Sequence, residues 1–184
     1  MSHRLIPHPD TPPRGIRSIA ARWYQPGNGT LLLRWHVDGV ESLAVPPYSG
    51  KGRADDLWTT TCFELFLRDR AGGYREFNFS PSGRWAAWRF TGYREGMEHA
   101  EMADPPEMAG DSGAFLYALT VTVPMAVLDG ADAAGMSAVI EEKDGTKSYW
   151  ALAHAPGKPD FHDPACFALS LPVRRAVGGK GALA

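Results

Sequence analysis

Apolar and polar residues alternate with a period of two through most of this chain. That pattern predicts strands over 16–24, 30–37 (TLLLRWHV), 60–68 (TTCFELFLR), 74–80 (YREFNFS), 84–90 (RWAAWRF) and 115–123 (FLYALTVTV). Shorter runs at 43–45, 136–142, 148–153 and 167–171 complete the set. Turn signals punctuate them. PGNG precedes the second strand, DRAGG predicts a hairpin with glycines at positive φ, PSG leads into 84–90, and KDGT carries the Asp-Gly pair of a tight hairpin. The segment PPYSGKGRADD reads as a loop, and 125–129 as a single helical turn after Pro124. Residues 96–113 predict an irregular excursion with an edge strand. Roughly ten short strands without a long 3.6-period segment describe an all-β chain, an antiparallel β-sandwich of the immunoglobulin-like or jelly-roll kind. The expected organisation is an irregular N-terminal arm over 1–15, rich in proline, a single sandwich over 16–172, and a flexible glycine-rich tail over 173–184.

Alternation also assigns faces. Phe63, Leu65 and Leu67 share one face of their strand, and Phe77 and Phe79 share one face of the next. These sets predict the inter-sheet core. The opposite faces carry Cys62, Glu64 and Phe66, and then Tyr74, Glu76, Asn78 and Ser80. Two carboxylates and an amide therefore fall between aromatics on adjacent strands. Buried carboxylates cost several kcal/mol unless paired, so this face is either solvated or built for a ligand. In the first case Glu64 and Glu76 pair with Arg75, Arg84 or Arg89. In the second, aromatic rings cover the apolar surface of a polyhydroxylated ring while Glu and Asn bond its hydroxyls. Trp58 stands at the rim of the patch. Trp85 and Trp88 lie on opposite faces of their strand, so at most one of them belongs to it.

Composition narrows the classes. At 184 residues, with 44% apolar and 22% charged residues, the chain fits one globular domain. A net charge of −2 offers no electrostatic footprint for nucleic acid or an anionic membrane. No apolar run approaches the roughly 20 residues of a membrane helix, and the N-terminus lacks the apolar core of a secretory signal. The expected compartment is the cytoplasm, where Cys62 and Cys166 are expected to be free thiols.

The stretch from Arg53 to Met97, with SYWALAHAPGKPDFHDPACFALSL near the end, resembles the bacterial DOMON-like proteins, relatives of the family-nine carbohydrate-binding modules and of DOMON haem or sugar domains. The motifs that carry the resemblance are LW-x4-FE-x-F, Y-x-EFNFSPSG-x-W and PDFH, and it spans about residues 5–172. It implies a DOMON-like β-sandwich that binds a small ligand, a saccharide first, without catalysis. In the sugar-binding modules a Trp precedes a strand, a Glu follows six residues later, and two polar residues lie two apart on the next strand. Trp58, Glu64, Glu76 and Asn78 match that layout, although the modules carry an arginine where Glu76 stands. They close the site with a late Trp, for which Trp150 is the candidate. Arg53 and Arg94, in loops beside these strands, are secondary candidates. The haem branch implies haem b between a Met and a His, here Met97 or Met102 with His154 or His162. Related sandwiches carry structural calcium, for which Asp55 and Asp56 are candidates.

Other chemistries have less in the sequence to support them. A glycoside hydrolase would need Glu64 and Glu76 as a carboxylate pair about 5–5.5 or 6.5–9.5 Å apart. Cys62 with a histidine could form a nucleophile pair, but a Cys sharing its face with Phe66 reads as packing. A protein-interaction module would expose an apolar patch or a free sheet edge. No phosphate loop, Rossmann fingerprint or Gly-x-Ser-x-Gly is present.

Overall fold

Strand formation follows the predicted alternation closely. A computed structural model describes residues 2–172. Its strands are β1 (Ser2–Pro7), β2 (Ser18–Tyr24), β3 (Thr30–Asp38), β4 (Gly52–Arg53), β5 (Cys62–Asp69), β6 (Tyr74–Phe79) and β7 (Arg84–Phe90). They continue as β8 (Glu98–His99), β9 (Glu107–Ser112), β10 (Leu116–Pro124), β11 (Ala131–Glu141), β12 (Lys147–Ala151) and β13 (Leu169–Ser170). Short 3-10 turns cover Leu57–Thr59, Met125–Leu128 and Pro164–Cys166. The protein is all-β.

Hydrogen bonding runs unbroken along the order β4-β7-β6-β5-β11-β12-β1-β2-β3-β10-β9, with β8 on β7 and β13 on β11. All pairs are antiparallel except β4 with β7. The sheet curls over on itself into a sandwich, and β1 is the corner. Its residues 2–5 pair with β2, whereas Ile6 and Pro7 pair with β12. The expectation of an irregular arm over 1–15 is therefore corrected for its first half. Its prolines do not prevent a strand, because the first of them, Pro7, falls at the strand's last residue. Residues 173–184, expected to be a flexible tail, lie outside the described residues.

Two sequence details also shift. The 43–45 piece is a single bridge from Leu43 to Glu142. In the β5–β6 turn only Gly72 has positive φ, and the Asp69 carboxylate fixes the turn by accepting from the N–H groups of Ala71 and Gly73 at 2.9 and 3.1 Å.

Phe63, Leu65, Leu67, Phe77 and Phe79 point between the layers as expected. They meet Trp35 of β3 and Tyr117 of β10, with the Trp35 ring 5.5 Å from Phe63 and 6.1 Å from Phe79. A second apolar cluster forms on the outer face of the β5–β7 half, from Phe66, Tyr74, Phe90, Phe161 and Phe167. It exists because the chain between β12 and β13 folds back over that face. Gly135 of β11 permits the close approach, since a Cβ there would lie 2.7 Å from the Cys166 carbonyl oxygen. The Asp163 side chain caps the turn at Ala165 N–H, 2.9 Å away.

Candidate functional site

The outer face of β5, β6 and β7 forms the floor of a cavity of about 760 Å3, walled by the chain that folds back. Register builds the floor. Glu64 stands opposite Ser137 on one side and Asn78 on the other, with Ala86 beyond. The next row places Phe66 opposite Glu76, and Glu76 opposite Trp88. Small Ala86 leaves room above Asn78, while Phe66, Trp88 and Phe90 make the floor's apolar sides. Glu64 and Glu76 are diagonal neighbours on one face, and both are buried, 2% and 7% exposed.

Their partners are neutral. Ser137 Oγ donates to Glu64 Oε2 at 2.9 Å, and Asn78 Nδ2 donates to Glu76 Oε1 at 2.7 Å. Burial, reinforced by the neighbouring Glu76, pushes the Glu64 carboxyl well above the usual carboxylate range. Burial also pushes Glu76 up, against the pull of the Asn78 hydrogen bond and the Arg94 charge. The expected pairing with Arg75, Arg84 or Arg89 does not occur. Those guanidinium groups go to the Asp129 carbonyl, the Ser49 carbonyl and Glu98. Cys62, buried beside them, has its thiol pushed up by burial and then by the two glutamates, so it packs rather than reacts.

One wall is a hydrogen-bonded chain. Arg94 N–H donates to the Tyr74 hydroxyl at 3.2 Å, and that hydroxyl lies 2.8 Å from His162 Nδ1. Burial, then the Arg94 charge, holds the imidazole down to about 4, so the ring is neutral at ordinary pH. Nδ1 is paired with the Tyr74 hydroxyl, and Nε2 faces Glu76 Oε2 at 3.7 Å. Asp160 ties the wall together. Its carboxylate accepts from Arg94 at 2.8 Å, from His162 N–H at 3.0 Å and from the Tyr93 hydroxyl. At the mouth stand Trp58, 50% exposed, and Asp56. Asp56 and Arg94 are the non-glycine residues with left-handed backbone among those described, both with φ of 56°, and both line the cavity.

The fold thus brings Trp58, Glu64, Glu76, Asn78 and Arg94 to one cavity. It sends two of the predicted site residues elsewhere. Trp150 is 2% exposed in the inter-sheet core, its indole N–H donating to Ser148 Oγ at 2.9 Å. Alternation turns its neighbour Tyr149 into the cavity instead. Arg53 stacks 5.1 Å over Trp85 and donates to the carbonyls of Ala87 and Ala100. It therefore clamps the sheet edge. Arg53→Lys, which loses the planar guanidinium that stacks on Trp85 and reaches both carbonyls through Nη2, is expected to cost about 1.5–3 kcal/mol in urea denaturation while leaving ligand affinity unchanged.

Of the haem candidates, Met97 and His162 reach the cavity. Met102 packs on the inter-sheet core, and His154 holds the Ile6 carbonyl through Nε2 at 2.8 Å. His162 pairs Nδ1 with the Tyr74 hydroxyl at 2.8 Å and turns Nε2 towards Glu76 Oε2 at 3.7 Å. Asp55 and Asp56 line the mouth, and no group of three or more His, Cys, Asp or Glu among the described residues is placed to hold a metal. Cys62 and Cys166 are free and buried. Sequence reasoning missed Tyr149, Asp160 and Phe161 as lining. PDFH carried the signal for the last two, as a motif without a placement.

No family model matches the chain, and no curated protein does. Among solved structures, the fold is similar to that of a protein from Bacteroides uniformis ATCC 8492 described as a "putative carbohydrate-binding protein". The TM-score is 0.64 at 19% identity, covering 92% of this chain and 85% of that one. At that identity the likeness shows the fold.

Proposed function

We propose that the cavity binds a saccharide and does not transform it. One observation carries this reading. A recess of about 760 Å3 has a floor of buried hydrogen-bonding groups, Glu64, Asn78 and Glu76, bordered by Phe66 and Trp88 and overhung by the half-exposed Trp58. A sugar ring needs both surfaces, π faces for its C–H groups and fixed polar groups for its hydroxyls. With their pKa values raised, the carboxyls can donate as well as accept, which widens the choice of hydroxyl partners. The similarity in fold to a protein described as carbohydrate-binding supports the same reading. Hydrolysis has less support, because Glu64 and Glu76 lie side by side on one floor instead of flanking a cleft from opposite sides.

The test is titration with a panel of mono- and disaccharides, followed by tryptophan fluorescence and calorimetry. Trp58→Ala is expected to weaken binding by at least about tenfold, the worth of one stacking face, with no change in melting temperature. Unchanged affinity would remove Trp58 from the site. A panel that yields no binder would remove the saccharide reading.

A further inference from the structure

We propose that the saccharide carries a protonated amine, seated between Glu64 and Glu76 on the cavity floor. The inference rests on the saccharide reading and deepens it. The floor has two buried acids and only neutral donors facing them, the Ser137 hydroxyl and the Asn78 amide. Among the described residues no Lys or Arg forms an ion pair with either glutamate. The guanidinium in the cavity wall, Arg94, is held by Asp160 at 2.8 Å.

His162 faces Glu76 as a neutral ring and supplies no charge. The cavity lining as a whole has five carboxyl groups, on Asp55, Asp56, Glu64, Glu76 and Asp160, against the cations Arg94 and Lys158. An anionic sugar would meet repulsion there. A neutral sugar can hydrogen-bond the protonated acids but gains nothing from their capacity for charge. An ammonium group does, because a cation between the carboxyls favours their ionised forms and offsets the burial that disfavours them. Phe66, Trp88 and Phe90 line the same cavity, and aromatic rings attract cations over their faces and do not attract anions there.

The experiment compares D-glucosamine and D-galactosamine with the parent hexoses and with the N-acetylated forms, by calorimetry at pH 7 on the full chain. Cyclohexylamine and cyclohexanol serve as ring-sized probes without the sugar hydroxyls. The expected result is that an amino sugar binds about tenfold tighter than its hexose and its N-acetyl form. The ratio should fall towards one in Glu76→Gln and in Glu64→Gln, which keep shape and hydrogen bonding. A hexose or N-acetyl sugar that binds as tightly as the amino sugar overturns the inference and leaves the saccharide reading standing. Selectivity that persists in both glutamine variants overturns the seat. If cyclohexylamine binds, cyclohexanol does not and no sugar does, the ammonium seat stands and the saccharide reading falls. If none of the probes binds, both fall. The comparison of ligands on the unaltered protein decides the matter even where a variant does not fold.

Discussion

Replacing Trp150 by alanine is expected to cost about 3–5 kcal/mol of folding stability, the usual range for emptying a buried large aromatic site. Trp150 is among the largest side chains that are fully buried in the sandwich. It lies on β12, which joins the β5–β11 layer to the corner strand, and Pro7 of β1 pairs directly with it. The cavity left by alanine would open beside that corner, where β1 changes partners from β12 to β2. The surrounding strands hold one another on both sides through β11 and β2, so they have little freedom to collapse into it. Removal of the indole also leaves Ser148 Oγ, itself buried, without its donor. Urea denaturation of the two proteins measures the effect as a shift in midpoint at constant slope. Ligand affinity extrapolated to the folded fraction should be unchanged. A stable variant that had lost binding would return Trp150 to the site.

The same residue shows where the sequence stops being legible. Period-two alternation is enough to separate Phe63, Leu65 and Leu67 from Glu64 and Phe66, because each strand is long and one of its faces is uniformly apolar. Five-residue β12 reads KSYWA, with an aromatic on each face, so the pattern alone gives no sign of which ring is inside. Register with β1 and β11 decides it, turning Trp150 inwards and Tyr149 into the cavity. Register is also what sets Glu64 diagonal to Glu76 across β5 and β6, a relation set by the hairpin and not by either strand's composition.

The cavity wall was illegible for a different reason. Asp160, Phe161 and His162 arrive from a segment whose local sequence specifies turns. What brings it to the floor is burial of Phe161 and Phe167 against Phe66, at ring separations of 6.5 and 6.0 Å, made possible by Gly135. Contacts of that kind are tertiary and have no period. Arg53 belongs to the same class. Its loop position suggested the site, but its guanidinium reaches main-chain carbonyls 34 and 47 residues further along the chain.

Stability is expected to fall on the acid side because of His162, and His162→Asn should abolish that fall. The fold holds the neutral imidazole, with its pKa pushed down from 6.5 to about 4 by burial and by Arg94. A group whose folded pKa lies below its unfolded one contributes stability above the unfolded value and loses it as the pH drops through the folded value. The window here is therefore pH 6.5 to 4. Between pH 7.5 and 5 the expected loss attributable to His162 is about 2 kcal/mol, since up to 1.36 kcal/mol accompanies each pH unit within the window. The buried glutamates act in the opposite sense. Their folded pKa values are raised, so the stability they contribute is complete below the ordinary carboxyl value of 4.5 and is lost as the pH climbs towards the folded values. Asp160, held below the usual range by Tyr93 and Arg94, contributes a further acid-side loss. It keeps these partners in the variant and so cancels in the difference between the two proteins. Asparagine can place its amide oxygen near the position of Nδ1 to accept from the Tyr74 hydroxyl, and it does not titrate. Urea denaturation at pH 5, 6, 6.5 and 7.5 should show the unaltered protein losing stability relative to His162→Asn on acidification, by the amount above. Parallel profiles would mean that burial and Arg94 do not lower the His162 pKa in the fold, and would overturn the assignment of the acid-side loss to this residue.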